Sequence, residues 1–477
     1  MLPIRYHFPP ELEPDTPTRF QLENAAAIPD AFHHVAVLPD VHAKFGRKCP
    51  TGTVLAAESI YPQIMDTAPN CGMRLIGTPW KEEDLNKKSI RTLFQALVNT
   101  VPTRTYVGNY VPYRTVLEIC RQGSAALAEY LGEKNGDEQM MFNGGTLFDV
   151  VPDADEITNA IPSLFLRLAQ GRLGILGEAG NHFLDLMKIE AILDETKAEK
   201  LNIAKGQYVF LLHTGSGILG QYASYFFTPK REEHLSMKII TNLGRITFGS
   251  QIVSRAEIRK LQKHVRRYRE KKEYFRIDAQ TPVGRAYLTA HRASGNYGFA
   301  NRSMIAANIK KTIKETLGED AALRTICDIP HIFVNQENHY GKDVWVHRNG
   351  ASRGFGPSRL KGHRVFGVTG EPGILAGSMN TPSYLVCGTD KNESTFFSIN
   401  HGAGKTKHVS EAAPHTKTEL MKNMKESRVP LFNARSQGVI KQASQYYKDI
   451  DQILGAVKEN SIADPVAKLT PVAVLMA

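Results

Sequence analysis

The chain has 477 residues, 42% of them hydrophobic and 22% charged, with a formal net charge of +11. These proportions are ordinary for a soluble globular protein, and no apolar run nears the roughly 18 residues a membrane helix needs. Met1-Leu2-Pro3-Ile4-Arg5-Tyr6 lacks a basic-then-apolar signal pattern, and five scattered cysteines without a Cys-x-x-Cys pair argue against a disulfide framework or a zinc ribbon, so a reduced, cytoplasmic protein is expected. The basic surplus favours a polyanionic partner such as nucleic acid.

Residues 1–30 read as an irregular, Pro-rich lead-in. His33 to Leu38 reads as a strand that runs into Pro39-Asp40-Val41-His42. A polar pair at the end of an apolar strand is a common site position, although taken by itself Asp40 is more often an aspartate capping a turn. Pro69-Asn70-Cys71-Gly72 is a turn before a strand over Met73 to Gly77, and a lone cysteine there is ordinarily a small buried hydrophobe. Apolar spacing predicts helices over 82–99 and 114–131, and a polar loop over 133–158. Gly180-Asn181-His182-Phe183-Leu184-Asp185 follows, and then a buried-strand run from Gln207 to Leu212 that ends on His213 and a small-residue tail.

Residues 254–276 form a strongly basic helical segment, either facing nucleic acid or simply solvated. Asn296 to Arg302 is expected to open another helix. Pro330 to Asn335 and Asp343 to Arg348 read as two strands, and Gly377-Ser378-Met379 as a turn before the strand Tyr384 to Cys387. Phe397 to Lys405 is an apolar strand ending in His401, followed by a tight loop with Gly402, Gly404 and Lys405. Helices near 409–426 and 436–457 and a closing strand over 471–476 complete the chain. Site-like motifs run from residue 40 to 447 without repeats or a low-complexity linker, which predicts one large domain over 1–477.

The chemistry gathers around histidine. A histidine beside a glycine loop can serve as nucleophile or general acid/base, the glycines admit a ligand to backbone N–H groups, and Lys405 offers charge to a phosphate. Gly-x-Gly by itself is more often just a turn. Cys71, His182, His213, His331 and His401 sit in dispersed positions, most of them glycine-flanked, and thiolate with neutral imidazole suits a borderline ion such as Zn²⁺ or Mn²⁺. Their separations leave open whether they share a site.

Eight blocks, in order, change that reading. They are Leu38-Pro39-Asp40-Val41-His42; Asn70-Cys71-Gly72-Met73-Arg74; Gly180-Asn181-His182-Phe183; His213-Thr214-Gly215-Ser216; Asn296-Tyr297 through Asn301-Arg302; Val346 to Ala351; Gly377-Ser378-Met379; and His401-Gly402-Ala403-Gly404. With them the chain resembles the RtcB family of RNA-splicing ligases over nearly its whole length. The resemblance implies an α+β fold, a single large domain with a mixed β-sheet core and surrounding helices. It implies a GTP- and Mn²⁺-dependent ligase joining an RNA 3′-phosphate or 2′,3′-cyclic phosphate to a 5′-hydroxyl, through a histidine–GMP intermediate. His401 matches the nucleophile and Asp40 the aspartate beside it. Cys71, His182, His213 and His331 match metal ligands for one or two ions. Asn181, Asp185, Ala376, Gly377, Ser378, Met379, Ser383, Gly402, Ala403, Gly404 and Tyr447 match nucleotide-binding positions.

The chain also departs from the family pattern. Ala68 stands where the family carries an aspartate ligand for a second metal, with Asp66 nearby. Ile332 replaces the asparagine after the third metal histidine, Gly217-Ile218 an arginine, Lys405 an arginine, Asp185 a glutamate, and Met476 the final lysine that contacts guanine. These changes leave adenine open beside guanine and describe a divergent member. The alternatives are a non-catalytic RNA-binding protein on a decayed ligase scaffold, or a metal phosphodiesterase that opens cyclic phosphates.

Overall fold

In the computed structural model the described residues are 1–44, 49–65, 68–103, 107–133, 137–177, 181–227, 253–271, 274–406, 416–433 and 437–477. The strands in chain order are β1 (Ile4–Tyr6), β2 (Ala31–His42), β3 (Thr51–Ala57), β4 (Gly72–Lys81), β5 (Phe183–Ile192), β6 (Gln207–Thr214), β7 (Arg324–Pro330) and β8 (Ile332–His339). They continue as β9 (Lys342–Asn349), β10 (Ala351–Arg353), β11 (Pro372–Leu375), β12 (Ser383–Gly388), β13 (Ser398–Asn400), β14 (Leu431–Phe432) and β15 (Ala463–Met476).

The larger sheet has the order β11-β12-β15-β5-β6-β4-β7, with β14 beside β15; the smaller has the order β1-β2-β3-β9-β8, and β10 pairs with β13. β1–β2 and β14–β15 are parallel and the other pairs antiparallel, so the core is mixed and the architecture is α+β. Alternation along the strands decides which layer each side chain joins. Met73, Leu75, Met187, Val209 and Leu211 fill one face of the larger sheet. Ile76, Leu184, Leu186, Phe210 and Leu212 fill the other, against the helix Lys87–Thr100 and the far half of the helix Pro282–Leu317. Among the described residues no helix is long and apolar enough to cross a membrane.

Several expectations shift. The lead-in is ordered: β1 pairs with β2, and Thr16–Ala26 is a helix capped by Asp15, with a proline in its first turn. The 114–131 segment is two helices, Tyr113–Gln122 and Ser124–Leu131, broken at Gly123. There φ is +69° and a Cβ would lie 1.9 Å from the Gly145 carbonyl, so only glycine fits. The 133–158 loop holds two 3₁₀ turns and the helix Ala154–Ala160.

Asn296 to Arg302 do not open a helix. They lie in the middle of the 36-residue helix Pro282–Leu317, capped by Thr281 and Gly318. Asn296 accepts from the Leu147 N–H and donates to the Cys120 carbonyl, so its polar groups bind neighbouring segments rather than breaking the helix. The basic segment is a helix over Arg255–Lys271, and the later helix covers Lys417–Glu426, its expected start falling outside the described residues. The 436–457 helix divides into Gln437–Ile440, a 3₁₀ turn at Ser444–Tyr446 and Ile450–Glu459, which leaves Tyr447 in the connection. His331 lies between β7 and β8 rather than within a strand.

Candidate active site

Four neighbouring strands of the larger sheet bring their ends together. Cys71 immediately precedes β4, His182 immediately precedes β5, His213 lies next to the end of β6, and His331 follows β7. The register sets Met73 and Phe183 opposite His213, and Gly72 opposite both Thr214 and Pro330. Antiparallel pairing therefore converts residues up to 260 positions apart in sequence into one cluster at one sheet end.

Cys71 Sγ is 3.5 Å from His182 Nε2 and 3.3 Å from His213 Nε2, and His213 Nε2 is 3.3 Å from His331 Nε2. The ligand atoms of Cys71, His182 and His213 all lie within 4.8 Å of one another. His182 Nδ1 donates to the Leu176 carbonyl and His213 Nδ1 to the Asn181 carbonyl, each at 2.9 Å. A carbonyl can only accept, so in both rings the Nε2 lone pair is the one turned toward the cluster. Burial pushes His182 down to about 4 and holds His213 and His331 well below the ordinary histidine range. Neutral imidazoles and one thiol, oriented by backbone acceptors, fit a divalent ion of borderline softness.

Arg302, fully buried, locks this end of the sheet. Its guanidinium donates to the Asn70 carbonyl (3.1 Å), Asn70 Oδ1 (2.8 Å), the Thr214 carbonyl (3.0 Å) and Asp328 Oδ1 (2.8 Å). It thereby ties the residue before Cys71 to the residue after His213. Sequence reading placed Arg302 in a motif but gave it no role; a buried arginine in a long helix becomes legible only once its partners are seen.

The smaller sheet supplies the second half. Asp40, on β2, is fully buried, and its Oδ2 accepts from His401 Nδ1 at 2.8 Å. The same Nδ1 lies 2.9 Å from the Gly350 carbonyl. Two acceptors on one nitrogen require it to carry a proton, so in the neutral ring Nε2 is the nitrogen with the lone pair. The His401 and His331 rings are 4.8 Å apart. Lys448 clamps β2 on either side of Asp40 by donating to the Pro39 and Val41 carbonyls, both at 2.9 Å. Gly404 has φ +71°, and a Cβ there would lie 2.1 Å from the Asp40 carbonyl, so this glycine is required first by the contact between the loop and β2.

A cavity of about 300 Å³ opens beside His401 and His213. Asn181, Ala376, Gly377, Gly402, Ala403, Gly404 and Tyr447 line it, together with His42, Lys44, Lys405 and Gln442. Lys405 does not stand free for a phosphate: Nζ donates to the Lys441 carbonyl (2.9 Å) and Gln442 Oε1 (3.0 Å) and sits 5.0 Å over the Tyr447 ring. Burial and the cations Lys44 and Lys441 push it down to about 8.

Four expected nucleotide-site residues are not in the lining. Ser383 Oγ accepts from the Gly377 N–H at 3.1 Å and Ser378 bonds Thr381, so both shape the turn behind the wall. Met379 packs with Met424, Tyr446 and Met476. Asp185 is buried on β5 opposite Val474, with Oδ1 unpartnered, and burial raises its carboxyl well above the usual range. Ala68 brings no ligand; its carbonyl accepts from the Cys71 N–H at 2.9 Å, and Asp66 lies outside the described residues. His42 was noticed in sequence only as a neighbour of Asp40. Its Nδ1 donates to the Asp40 carbonyl at 2.8 Å and it faces the cavity.

The chain is similar to known proteins over nearly its whole length. The RNA-splicing ligase RtcB of Mycobacterium tuberculosis is 26% identical over 465 residues, covering 94% of this chain and 98% of its own. The tRNA-splicing ligase RtcB of Thermococcus kodakarensis is 28% identical over 470 residues, 95% of this chain and 90% of its own. That of Nanoarchaeum equitans is 27% identical over 476 residues, 96% and 91% respectively. The family model described as tRNA-splicing ligase RtcB matches residues 21–477, and on that extent the chain belongs to the RtcB family.

Proposed function

We propose that the chain is one RtcB-like domain acting in the cytoplasm as an RNA ligase, joining an RNA 3′-phosphate or 2′,3′-cyclic phosphate end to a 5′-hydroxyl at the expense of GTP. The observation that carries this reading is the state of His401. Its Nδ1–H is held by Asp40 and Gly350, and its Nε2 lone pair is left beside a cavity next to a Cys/His cluster.

In the first step His401 Nε2 attacks the α-phosphorus of GTP, forming an N–P bond while the bond to pyrophosphate breaks. The ring gains positive charge with Nδ1 still protonated, and the buried Asp40 carboxylate stabilises that charge. A non-bridging oxygen of the RNA 3′-phosphate then takes the GMP from Nε2, restoring the neutral imidazole. Finally the RNA 5′-hydroxyl attacks the activated 3′-phosphorus, loses its proton and expels GMP. A cyclic phosphate is first opened by water. Cys71, His182, His213 and His331 are the residues that would hold Mn²⁺, one ion or two. When bound, the metal supplies neutralisation of phosphate charge and orientation for in-line displacement. Tyr447 and the Ala376–Gly377 and Gly402–Gly404 turns form the walls against which the nucleotide would pack.

Incubation with α-labelled GTP and Mn²⁺ tests this. Acid-labile label on the protein, lost in His401→Ala, is the expected result; no label with GTP or ATP refutes it. Ala68 favours a second reading, an RNA-binding protein on a ligase scaffold that lacks a metal ligand. A circularised product from RNA with a 3′-phosphate and a 5′-hydroxyl eliminates that reading.

A further inference from the structure

The chain's positive charge is not spread evenly. Residues 254–276 contain ten lysines and arginines (Arg255, Arg259, Lys260, Lys263, Arg266, Arg267, Arg269, Lys271, Lys272 and Arg276) against three glutamates (Glu257, Glu270 and Glu273). That is a surplus of seven out of the chain's net +11 in a twentieth of its length. A feature that served solubility alone would have no reason to concentrate there.

The helix Arg255–Lys271 gives the surplus a face. Ile258, Leu261 and Val265 are buried, and with Val253 they join the same hydrophobic cluster as Cys71. Arg255, Arg259, Lys260, Lys263 and Arg267 are exposed. At 100° per residue these five fall within about 140° of arc, centred opposite the apolar face. From Arg255 to Arg267 the stripe is about 18 Å long at 1.5 Å per residue.

Among the described residues these five cations are also uncompensated. Glu257 is turned to the helix start, where it accepts from Ser254 Oγ at 3.0 Å and closes a capping arrangement. Among the described residues none of the five has a carboxylate partner, whereas exposed lysines elsewhere do: Lys311 with Glu315 at 3.8 Å and Lys422 with Glu426 at 3.9 Å. The half-buried His264, stacked on Phe275, is held below its ordinary range by burial and then by Lys260, Arg267 and Lys263, which marks the field of the stripe.

We infer that the exposed basic face of the helix Arg255–Lys271 is a docking surface for the phosphate backbone of RNA, contacting the strand without reading its sequence. The inference rests on the reading of the chain as an RNA ligase for its choice of polyanion. A row of guanidinium and ammonium groups that have no carboxylate partner among the described residues suits a phosphate chain, because each contact releases condensed counterions and needs no base-specific geometry. The site for the reacting ends and the surface for the body of the RNA are thus built on different elements, so catalysis and grip are separable.

The test uses the full chain and its triple variant Arg255→Gln, Arg259→Gln, Lys263→Gln. Binding of a single-stranded RNA bearing a 3′-phosphate is followed by anisotropy between about 0.05 and 0.3 M salt. Loss of three phosphate contacts is expected to flatten the slope of log K against log salt by about 2, at roughly 0.7 per contact on a single strand, and to weaken binding at about 0.1 M salt roughly ten- to hundredfold. Nucleotide label on His401 and the thermal midpoint should match the parent, since all three side chains are exposed and lie outside the nucleotide cavity. The paired-lysine control Lys311→Gln, Lys422→Gln should leave the slope in place. An unchanged slope in the triple variant, an equal loss in the control, or loss of binding to phosphatidylserine vesicles with RNA binding intact overturns the inference. A parent that binds RNA but takes no label, with the triple variant losing that binding, upholds this surface while refuting the ligase reading.

Discussion

Asp40→Asn isolates the proposed role of the carboxylate because it keeps the side chain's shape. In the native arrangement Oδ2 accepts from His401 Nδ1 at 2.8 Å, and Oδ1 is buried without a partner. An asparagine has two ways to sit. With its NH₂ toward the ring, donor meets donor, so the imidazole must move its proton to Nε2 and lose the nucleophilic lone pair. With its oxygen toward the ring, the NH₂ occupies the Oδ1 position, where a buried unsatisfied donor costs about 1–3 kcal/mol. Either way the negative charge that stabilises the developing imidazolium is gone. In a triad, loss of such a carboxylate lowers the rate about 10⁴-fold. Here the Gly350 carbonyl, 2.9 Å from Nδ1, still favours the productive tautomer. The expected loss is therefore roughly 10²- to 10⁴-fold in the rate of protein labelling by α-labelled GTP, or about 2.7–5.4 kcal/mol of barrier. Single-turnover labelling at saturating nucleotide measures it. A rate within about fivefold of the parent, with label still on His401, would falsify the assigned role.

Other outcomes follow from the same geometry. Cys71→Ser should lower Mn²⁺ affinity by at least about a hundredfold, cutting a metal-dependent stabilisation of about 2.7 kcal/mol at a hundred times the parent's Kd to about 0.4 kcal/mol or less; an equal shift in both proteins contradicts the cluster as a metal site. Tyr447→Leu should raise the KM for GTP roughly tenfold, the loss of one stacking face, with the saturated labelling rate nearly unchanged; an unaltered KM removes Tyr447 from the nucleotide site. Asp328 bridges two buried arginines, at 2.6 Å to Arg74 Nε and 2.8 Å to Arg302 Nε, so Asp328→Asn leaves two uncompensated cations. It should cost about 3–5 kcal/mol in urea unfolding, and a loss under about 1 kcal/mol contradicts the ion network as drawn. His347 is buried, accepts from the Tyr61 N–H and is pushed down to about 4. The unfolded chain then binds a proton that the folded one refuses, so stability is full above about pH 6.5 and falls toward pH 4 by up to about 3 kcal/mol. His7 and His34, also about 4, add in the same direction. Urea midpoints at several pH values read this directly, and a flat profile would oppose it.

Local patterns in the chain were sufficient for much of this protein. Apolar runs marked most of the buried strands, the basic helix was visible as charge, and the order of eight short blocks carried the family. Where local signals failed, tertiary contacts had overruled them. Gly123 divided a helix because a neighbouring carbonyl left no room for a side chain, and Asn296 sat inside a helix because Leu147 and Cys120 satisfied its amide. Residue types raised His401 and the cysteine–histidine set only as candidates, and the family resemblance gave them their expected roles. Only strand register brought Cys71, His182, His213 and His331 to one end of a sheet, and only the facing of Asp40 and Gly350 settled which nitrogen of His401 keeps its lone pair. Sequence spacing runs along one dimension, whereas ligand geometry and proton position depend on which distant backbones and side chains pack against one another.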